Sequence, residues 1–457
     1  MSFLPQEIID SIIDVLNDRT ALVSCSLVCR AWLCRSHFHL FQSIRLVYPD
    51  GNSTQSFRDI IEEFLDLLET QPFHSRQYIQ TLSFDHDARG KDDDPSGKQW
   101  GFQDVELLST DLHRFAVQLP SLQHLSINLT FLSIDPSHLP DIYMPCSFES
   151  SDETNLNISP RKLQKLTLKG IKFGYWNSKE ELLWLAFTLY PSLQSLEIDT
   201  LFFYRGPSAT TEETSGWSVD WGTAEEPDSM MKPTYFGPQQ QLSSLRLALP
   251  RFPLFPHLLR SFARQRSSGQ KKCSLRSLHI QCTAGTNSDH DARQFFEDPF
   301  ISSNLEHCSL DFFREHYVNS ADVFNLSNCH SLQTLRITIW LHRTPHMEDP
   351  TDINYAFSIL ETIPSSSVAT SSIKCISLIL IKERDFDLNT GIHRIDKEII
   401  DWGRLEKRLL EPGVVESLTE FVFDYQLNDE LLDVEEKLNV EGNLPRLKAR
   451  GILRVGE

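Results

Sequence analysis

The chain has 457 residues, 40% of them hydrophobic and 10% aromatic. That is enough for several ordinary cores or one elongated repeat domain, and too apolar for a disordered chain. A formal charge of −20, from 43 basic and 63 acidic residues, argues against a basic track along nucleic acid or an anionic membrane. No basic-then-apolar leader opens the chain, and its most apolar uncharged window, 182–196, is broken by Pro191, so neither a signal peptide nor a membrane-spanning helix is expected. Nine cysteines at scattered positions fit a reduced protein of the cytoplasm or nucleus.

The first elements read as helices. Apolar residues fall at Ile8, Ile9, Ile12, Ile13 and Leu16, the i, i+1, i+4 spacing that gives a short helix one broad apolar face. Pro5 stands where a helix start tolerates a missing N–H. After the break Asn17-Asp18-Arg19-Thr20 comes a second apolar group, Leu22, Val23, Leu27, Val28 and Trp32, and the segment closes on Leu40-Phe41. Two or three short helices therefore pack together with too few residues to bury all of that surface. The apolar remainder is read as a binding face.

The runs Leu4-Pro5-Gln6-Glu7-Ile8-Ile9 and Cys25-Ser26-Leu27-Val28-Cys29-Arg30-Ala31-Trp32 resemble the F-box family in order, spacing and position. That family forms a small three-helix module that docks on the Skp-type adaptor of cullin-based SCF ubiquitin ligases, and its members carry a C-terminal region that captures the substrate. The family's Leu-Pro opening falls on Leu4 and Pro5, its first helix on Ile8, Ile12 and Leu16, and its later series on Leu22, Cys25, Leu27, Val28, Cys29 and Trp32. The resemblance implies that Leu4, Pro5, Ile8, Ile12, Leu16, Leu22, Cys25, Leu27, Val28 and Trp32 bind the adaptor, and through it a cullin. The competing reading is that these residues plug the end of the next domain, as capping elements of repeat proteins do.

Beyond residue 47 the organising signal is repetition. Leu-x-x-Leu-x-Leu, or a near copy, starts at Ile79, Leu122, Leu163, Leu193, Leu242, Leu275 and Leu332, and less cleanly at Leu305, Ile373, Leu418 and Leu444. Apolar and polar residues alternating in this way make a short strand with one face inward, and stacked copies bury a continuous core. Helical segments at 107–119, 181–190 and 255–266 precede several of the strands. The expected fold is α/β: a three-helix F-box at 1–47, then an irregular leucine-rich-repeat-like solenoid with a curved parallel sheet at 48–457. The intervals between copies run from 26 to 49 residues, against about 20 to 29 in regular leucine-rich repeats, and so resemble the irregular repeat domains behind F-boxes in fungal proteins. A doubly wound single sheet is the alternative.

Residues 204–241 form the largest insertion, rich in Gly, Pro, Ser, Thr and acids, and are expected to lack regular structure. Within it, Trp217 and Trp221 either anchor a partner or fold back on the flank. Asp85-His86-Asp87 and Asp92-Asp93-Asp94 read as a solvated acidic loop without calcium-loop spacing. In each strand motif the polar positions point away from the core: Ser126 and Asn128, Thr167 and Lys169, Glu197 and Asp199, Arg246, His279 and Gln281, Ser309 and Asp311, Arg336 and Thr338. Together they line a trough of the kind in which solenoids hold another protein. Asn128, Lys169, Glu197, Asp199, Arg246, His279, Gln281, Asp311 and Arg336 are the candidate target-binding residues.

No phosphate loop, nucleophile elbow, His-Glu-x-x-His or Cys-x-x-Cys occurs. Cys25, Cys29, Cys34, His37 and His39 are close enough to raise zinc, but Cys25 and Cys29 sit i, i+4 among packing residues. No metal, cofactor or catalytic residue is therefore expected, and any chemistry belongs to a partner assembly. The functional expectation is the substrate receptor of an SCF-type ligase. The alternatives are a leucine-rich-repeat scaffold, an F-box protein acting outside ubiquitin transfer, and a hydrolase or transferase with an unfamiliar site.

Overall fold

The computed structural model describes residues 5–16, 18–48, 57–70, 76–86, 106–128, 131–133, 163–169, 172–173, 192–199, 202–203, 242–248, 266, 273–283, 293, 295–313, 324–341, 351–363, 372–382, 400–414, 416–427 and 434–456. The chain divides into two compact units. The first holds Met1–Leu193 and Leu201–Gln240, the second Gln194–Thr200 and Gln241–Glu457. The insertion at 204–241, with Trp217 and Trp221, lies outside the described residues, as do the helix expected at 181–190 and all of that expected at 255–266 except its last residue.

The first unit opens with α1 (Gln6–Asp14), α2 (Arg19–Ser26) and α3 (Arg30–Phe41). Asp18, in the sequence break, caps α2: its carboxylate accepts from the N–H groups of Thr20 at 3.3 Å and Ala21 at 2.8 Å, pairing two donors that a helix start leaves open. Only one residue, Gln42, separates α3 from the first strand, β1 (Ser43–Tyr48), which therefore crosses the 47/48 boundary read from sequence.

β1, β2 (Thr81–His86), β4 (His124–Asn128) and β6 (Lys165–Lys169) pair in parallel, in that order. Ile44, Leu82, Leu125 and Leu166 share one register row, and Leu46, Phe84, Ile127 and Leu168 another. From β2 to β6 every member of both rows is buried. The backbone carbonyl of the residue before one strand receives the first N–H groups of the next copy. The Gln42 carbonyl accepts from the N–H groups of Gln80 and Thr81, both at 2.9 Å, and the Gln80 carbonyl from those of Gln123 and His124 at 2.8 and 3.0 Å. Gln42 Nε2 also donates to Gln80 Oε1 at 3.0 Å.

A second parallel sheet in this unit joins β3 (Glu106–Leu108), β5 (Phe131–Ser133), β7 (Lys172–Phe173) and β9 (Phe202–Phe203). Residues 107 and 108, expected to begin a helix, belong to β3, and the helix runs over Ser109–Gln118. That helix is tied to α4 (Phe57–Thr70) by ion pairs: Arg114 to Glu62 at 3.1 Å and to Glu69 at 2.9 Å, with Arg58 reaching both Glu62 and the buried Asp111. Burial alone raises the Glu62 carboxyl, and its contacts with Arg114 and Arg58 outweigh this and hold it below the usual range.

The second unit repeats the plan. β8 (Ser195–Asp199), β10 (Ser244–Ala248), β11 (Ser277–Thr283), β12 (His307–Phe313), β13 (Thr334–Leu341), β14 (Cys375–Lys382), β15 (Glu420–Leu427) and β16 (Leu453–Val455) pair in parallel, in that order. One buried row runs Ile198, Leu247, Ile280, Leu310, Ile337, Leu378 and Phe423. Ten of the eleven sequence motifs thus form strands. The copy starting at Leu444 does not: Pro445 opens a short helix, Pro445–Ala449, whose first N–H groups, those of Arg446 and Leu447, donate to the buried Glu406 carboxylate at 2.7 and 3.2 Å. Leu444 and Leu447 are both buried there, since i, i+3 spacing serves a helix as readily as a strand.

Another helix end is closed from a distance. Arg408, buried on the helix Trp402–Leu409, donates Nε to the Leu360 carbonyl at 3.0 Å and Nη2 to that of Glu361 at 3.1 Å. These carbonyls lie at the end of the helix Thr351–Glu361, where no intrahelical donor remains. Both units are α/β stacks of parallel strands, the organisation of a leucine-rich-repeat-like solenoid, with apolar rows inward. Among the described residues, no helix is long and apolar enough to cross a membrane.

Candidate docking face

The doubled isoleucines of α1 create two stripes. At about 100° per residue, Ile9, Ile13 and Leu16 fall on one line and Ile8, Ile12 and Val15 on another, roughly a quarter-turn away. The structure turns the first line inward: Ile13 is fully buried, Ile9 and Leu16 half-buried. The second stays open, with Ile8 46%, Ile12 44% and Val15 73% exposed. Val23 on α2 is 44% exposed, and in the turn that follows Leu27 reaches 81% and Val28 60%. Leu27 and Val28 owe their position to a tight chain reversal, in which their N–H groups donate to the carbonyls of Ser24 and Cys25 at 3.1 and 3.2 Å.

The helices hold this face by polar contacts rather than by a large core. Arg35 on α3 grips Asp14 at the end of α1 through two hydrogen bonds, Nε to Oδ1 at 2.5 Å and Nη2 to Oδ2 at 2.6 Å, and His39 Nε2 lies 2.8 Å from the same carboxylate. The Arg35 hydrogen bonds, followed by the His39 contact, pull the Asp14 carboxyl down to about 2. Gln6 Nε2 donates to the Ala31 carbonyl at 3.4 Å at the opposite end of α1. α3 in turn meets the repeat domain edge-on, Phe38 against Tyr78 with ring centroids 6.2 Å apart.

Of the ten residues expected to bind an adaptor, Pro5, Ile8, Ile12, Leu27 and Val28 are exposed, and Leu16, Cys25 and Trp32 are half-buried. Leu4 lies outside the described residues. Leu22 departs from the expectation: it is 6% exposed and joins Ile13 and Ser36 in the interior of the module. Val15 was missed, although it continues the Ile8 and Ile12 line at i+3 and i+7, the signal that would have found it. Among the described residues no cluster of three or more His, Cys, Asp and Glu is placed to hold a metal ion.

The trough positions fall where the strand alternation sets them, and their charges are largely answered across neighbouring strands. In the first unit Asp85 accepts from both Arg45 and Asn128, and Asn128 lies in register with Lys169. Asp85 and His86, expected in an acidic loop, are the end of β2; residues 87–94 lie outside the described residues. In the second unit the buried Glu197 meets the exposed Arg246 at 3.4 Å. His279 Nε2 stands 3.2 Å from Asp311 Oδ2. Burial raises the Asp311 carboxyl, and the contact with His279 and the charge of Arg336 outweigh it, leaving it lowered.

Arg246, His279, Ser309 and Arg336 occupy one register row, and Asp199, Gln281 and Asp311 belong to the next. Ser309, His279 and Asp311 are thus neighbours on regular paired strands, whose backbone N–H groups are committed to the sheet. The sequence matches no protein-family model and no curated protein. Among solved structures, a leucine-rich-repeat protein of Leptospira interrogans is similar over 96% of this chain and 98% of its own, with 11% identity and a TM-score of 0.29. So low a score carries no argument, and the fold rests on strand register and burial.

Proposed function

We propose that the chain is a non-catalytic substrate receptor of an SCF-type ubiquitin ligase, its N-terminal helices docking on the Skp-type adaptor and its repeat strands holding a target protein. The observation that carries this reading is the open apolar face. In a module that follows the F-box order of residues, Ile8, Ile12 and Val15 on one line of the first helix, and Leu27 and Val28 in the turn after the second, stay exposed, and exposed apolar groups of this kind support an interaction site. Exposures of 44% to 81% at these side chains support docking over the reading in which they plug the end of the next domain.

The mechanism is positional. One end of the chain binds the ligase and the rest binds the target, so the target's effective concentration near the ubiquitin-loaded enzyme rises without any reacting group from this protein. The trough, polar and internally paired, favours a partner held by many modest contacts over one drawn into a pocket.

Co-purification of the intact protein with the Skp-type adaptor tests the proposal. The wild-type chain is expected to retain the adaptor, and Ile8→Glu with Ile12→Glu to abolish retention while far-UV circular dichroism stays unchanged. No retention by the wild type, or undiminished retention by the folded double variant, overturns it. Retention of adaptor without cullin supports instead an F-box protein acting outside ubiquitin transfer.

A further inference from the structure

Resting on the adaptor-docking reading, we infer that the partner surface meeting these helices carries acidic side chains, and that Arg19 and Arg30 form a cationic rim that selects it. Arg19 opens α2 and Arg30 opens α3. Arg19 is four residues before Val23, hence on the same side of α2, and Arg30 follows the exposed Val28 by two residues. Both arginines are exposed, and neither has an ion-pair partner among the described residues. Most other arginines among the described residues are engaged: Arg35, Arg58, Arg114, Arg246, Arg404 and Arg408 all reach carboxylates.

These cations gain nothing from their own helices, because a positive side chain at a helix start opposes the helix dipole. With 63 acidic residues against 43 basic ones, the chain is rich in carboxylates, yet among the described residues none pairs with Arg19 or Arg30. An acidic chain repels an acidic partner at long range. Unpaired arginines beside the apolar face reverse that repulsion where the contact forms, adding electrostatic steering and rejection of basic partners to the apolar contacts of Ile8, Ile12, Leu27 and Val28.

Surface-captured full-length protein, probed with purified Skp-type adaptor across a salt series, tests the inference. Arg19→Glu with Arg30→Glu is expected to slow association about tenfold or more and to flatten its dependence on ionic strength. Arg450→Glu, an exposed arginine of the second unit, leaves both unchanged, and replacing the adaptor's facing acids with lysine restores the charge-reversed chain. If Ile8→Glu with Ile12→Glu abolishes binding while the arginine reversal leaves rate and salt dependence intact, the rim is not a determinant and the inference fails, with the docking reading still standing. If the wild-type chain does not bind at all, both fail together.

Discussion

The N-terminal helices and the strand repeats draw on the same apolar residue types and place them oppositely. In the strands, Leu82, Phe84, Ile127, Leu278, Ile337 and Phe421 are essentially inaccessible. In α1, α2 and the turn after α2, six apolar side chains are 44% to 81% exposed. The difference is one of neighbours. A parallel strand inside the stack has a copy of itself on either side, so each apolar residue is walled in along its row. α1 has a partner on one side only, so one isoleucine of each doublet packs and the other faces water. What a repeat supplies automatically to its strands, the module leaves open along one line of α1.

The largest effect that can break this contrast lies in the sheet. Phe423 is fully buried and meets Trp402 edge-on, with ring centroids 5.1 Å apart. Phe423→Ala is expected to cost about 3–5 kcal/mol, the transfer term plus the cavity left in a row that cannot collapse. Urea unfolding followed by tryptophan fluorescence measures it. A cost below about 1 kcal/mol would mean that the row is loosely packed and that the two regions differ less than their exposures indicate.

Legibility in the sequence follows the same division. Ten strands were readable because the alternation recurs in each, reinforced in five of them by a leading Leu-Gln or Ile-Gln. β1 was passed over because Phe41-Gln42-Ser43-Ile44-Arg45-Leu46 puts an aromatic where the motif has leucine and directly follows a helix. β16 and the strands of the second sheet span three residues or fewer, too short to display a period. At Leu444 the spacing was ambiguous, and Pro445, a favoured first helical residue, was the cue that separated helix from strand. The doublets of α1 announced a helix but not which isoleucine of each faces inward, since that depends on Arg35 and His39 reaching Asp14 from α3. The pairing of Glu197 with Arg246, 49 positions apart in sequence, was latent in the alignment of motif copies and needed the register to become a contact.

A smaller effect sharpens the contrast through pH. Asp14 has its carboxyl drawn to about 2 by Arg35 and then His39, so the clamp favours the folded module fully above the ordinary aspartate value of about 3.9. That contribution is lost as pH falls from there through about 2. Hydrogen exchange of α1 amides is expected to accelerate over this acid window while amides of β11 to β14 stay protected. Arg35→Ala is expected to bring the onset toward the ordinary aspartate range. Equal acid sensitivity in both regions would show that the module is not held by this clamp.

The smallest effect is the most diagnostic. Leu27, at 81% exposure, has almost no contacts to lose, so Leu27→Ser is expected to shift the stability of the free chain by no more than about 0.5 kcal/mol, where truncating a buried leucine costs about 2–5 kcal/mol. Denaturant midpoints of the two proteins, compared side by side, decide it. A loss above 2 kcal/mol would place Leu27 inside the protein's own core, erase the distinction between the two regions and remove the surface that an adaptor would cover. A negligible shift together with weakened adaptor retention separates the two roles of one residue type: the leucines of the strands hold this chain together, and the leucine of the turn is kept for another.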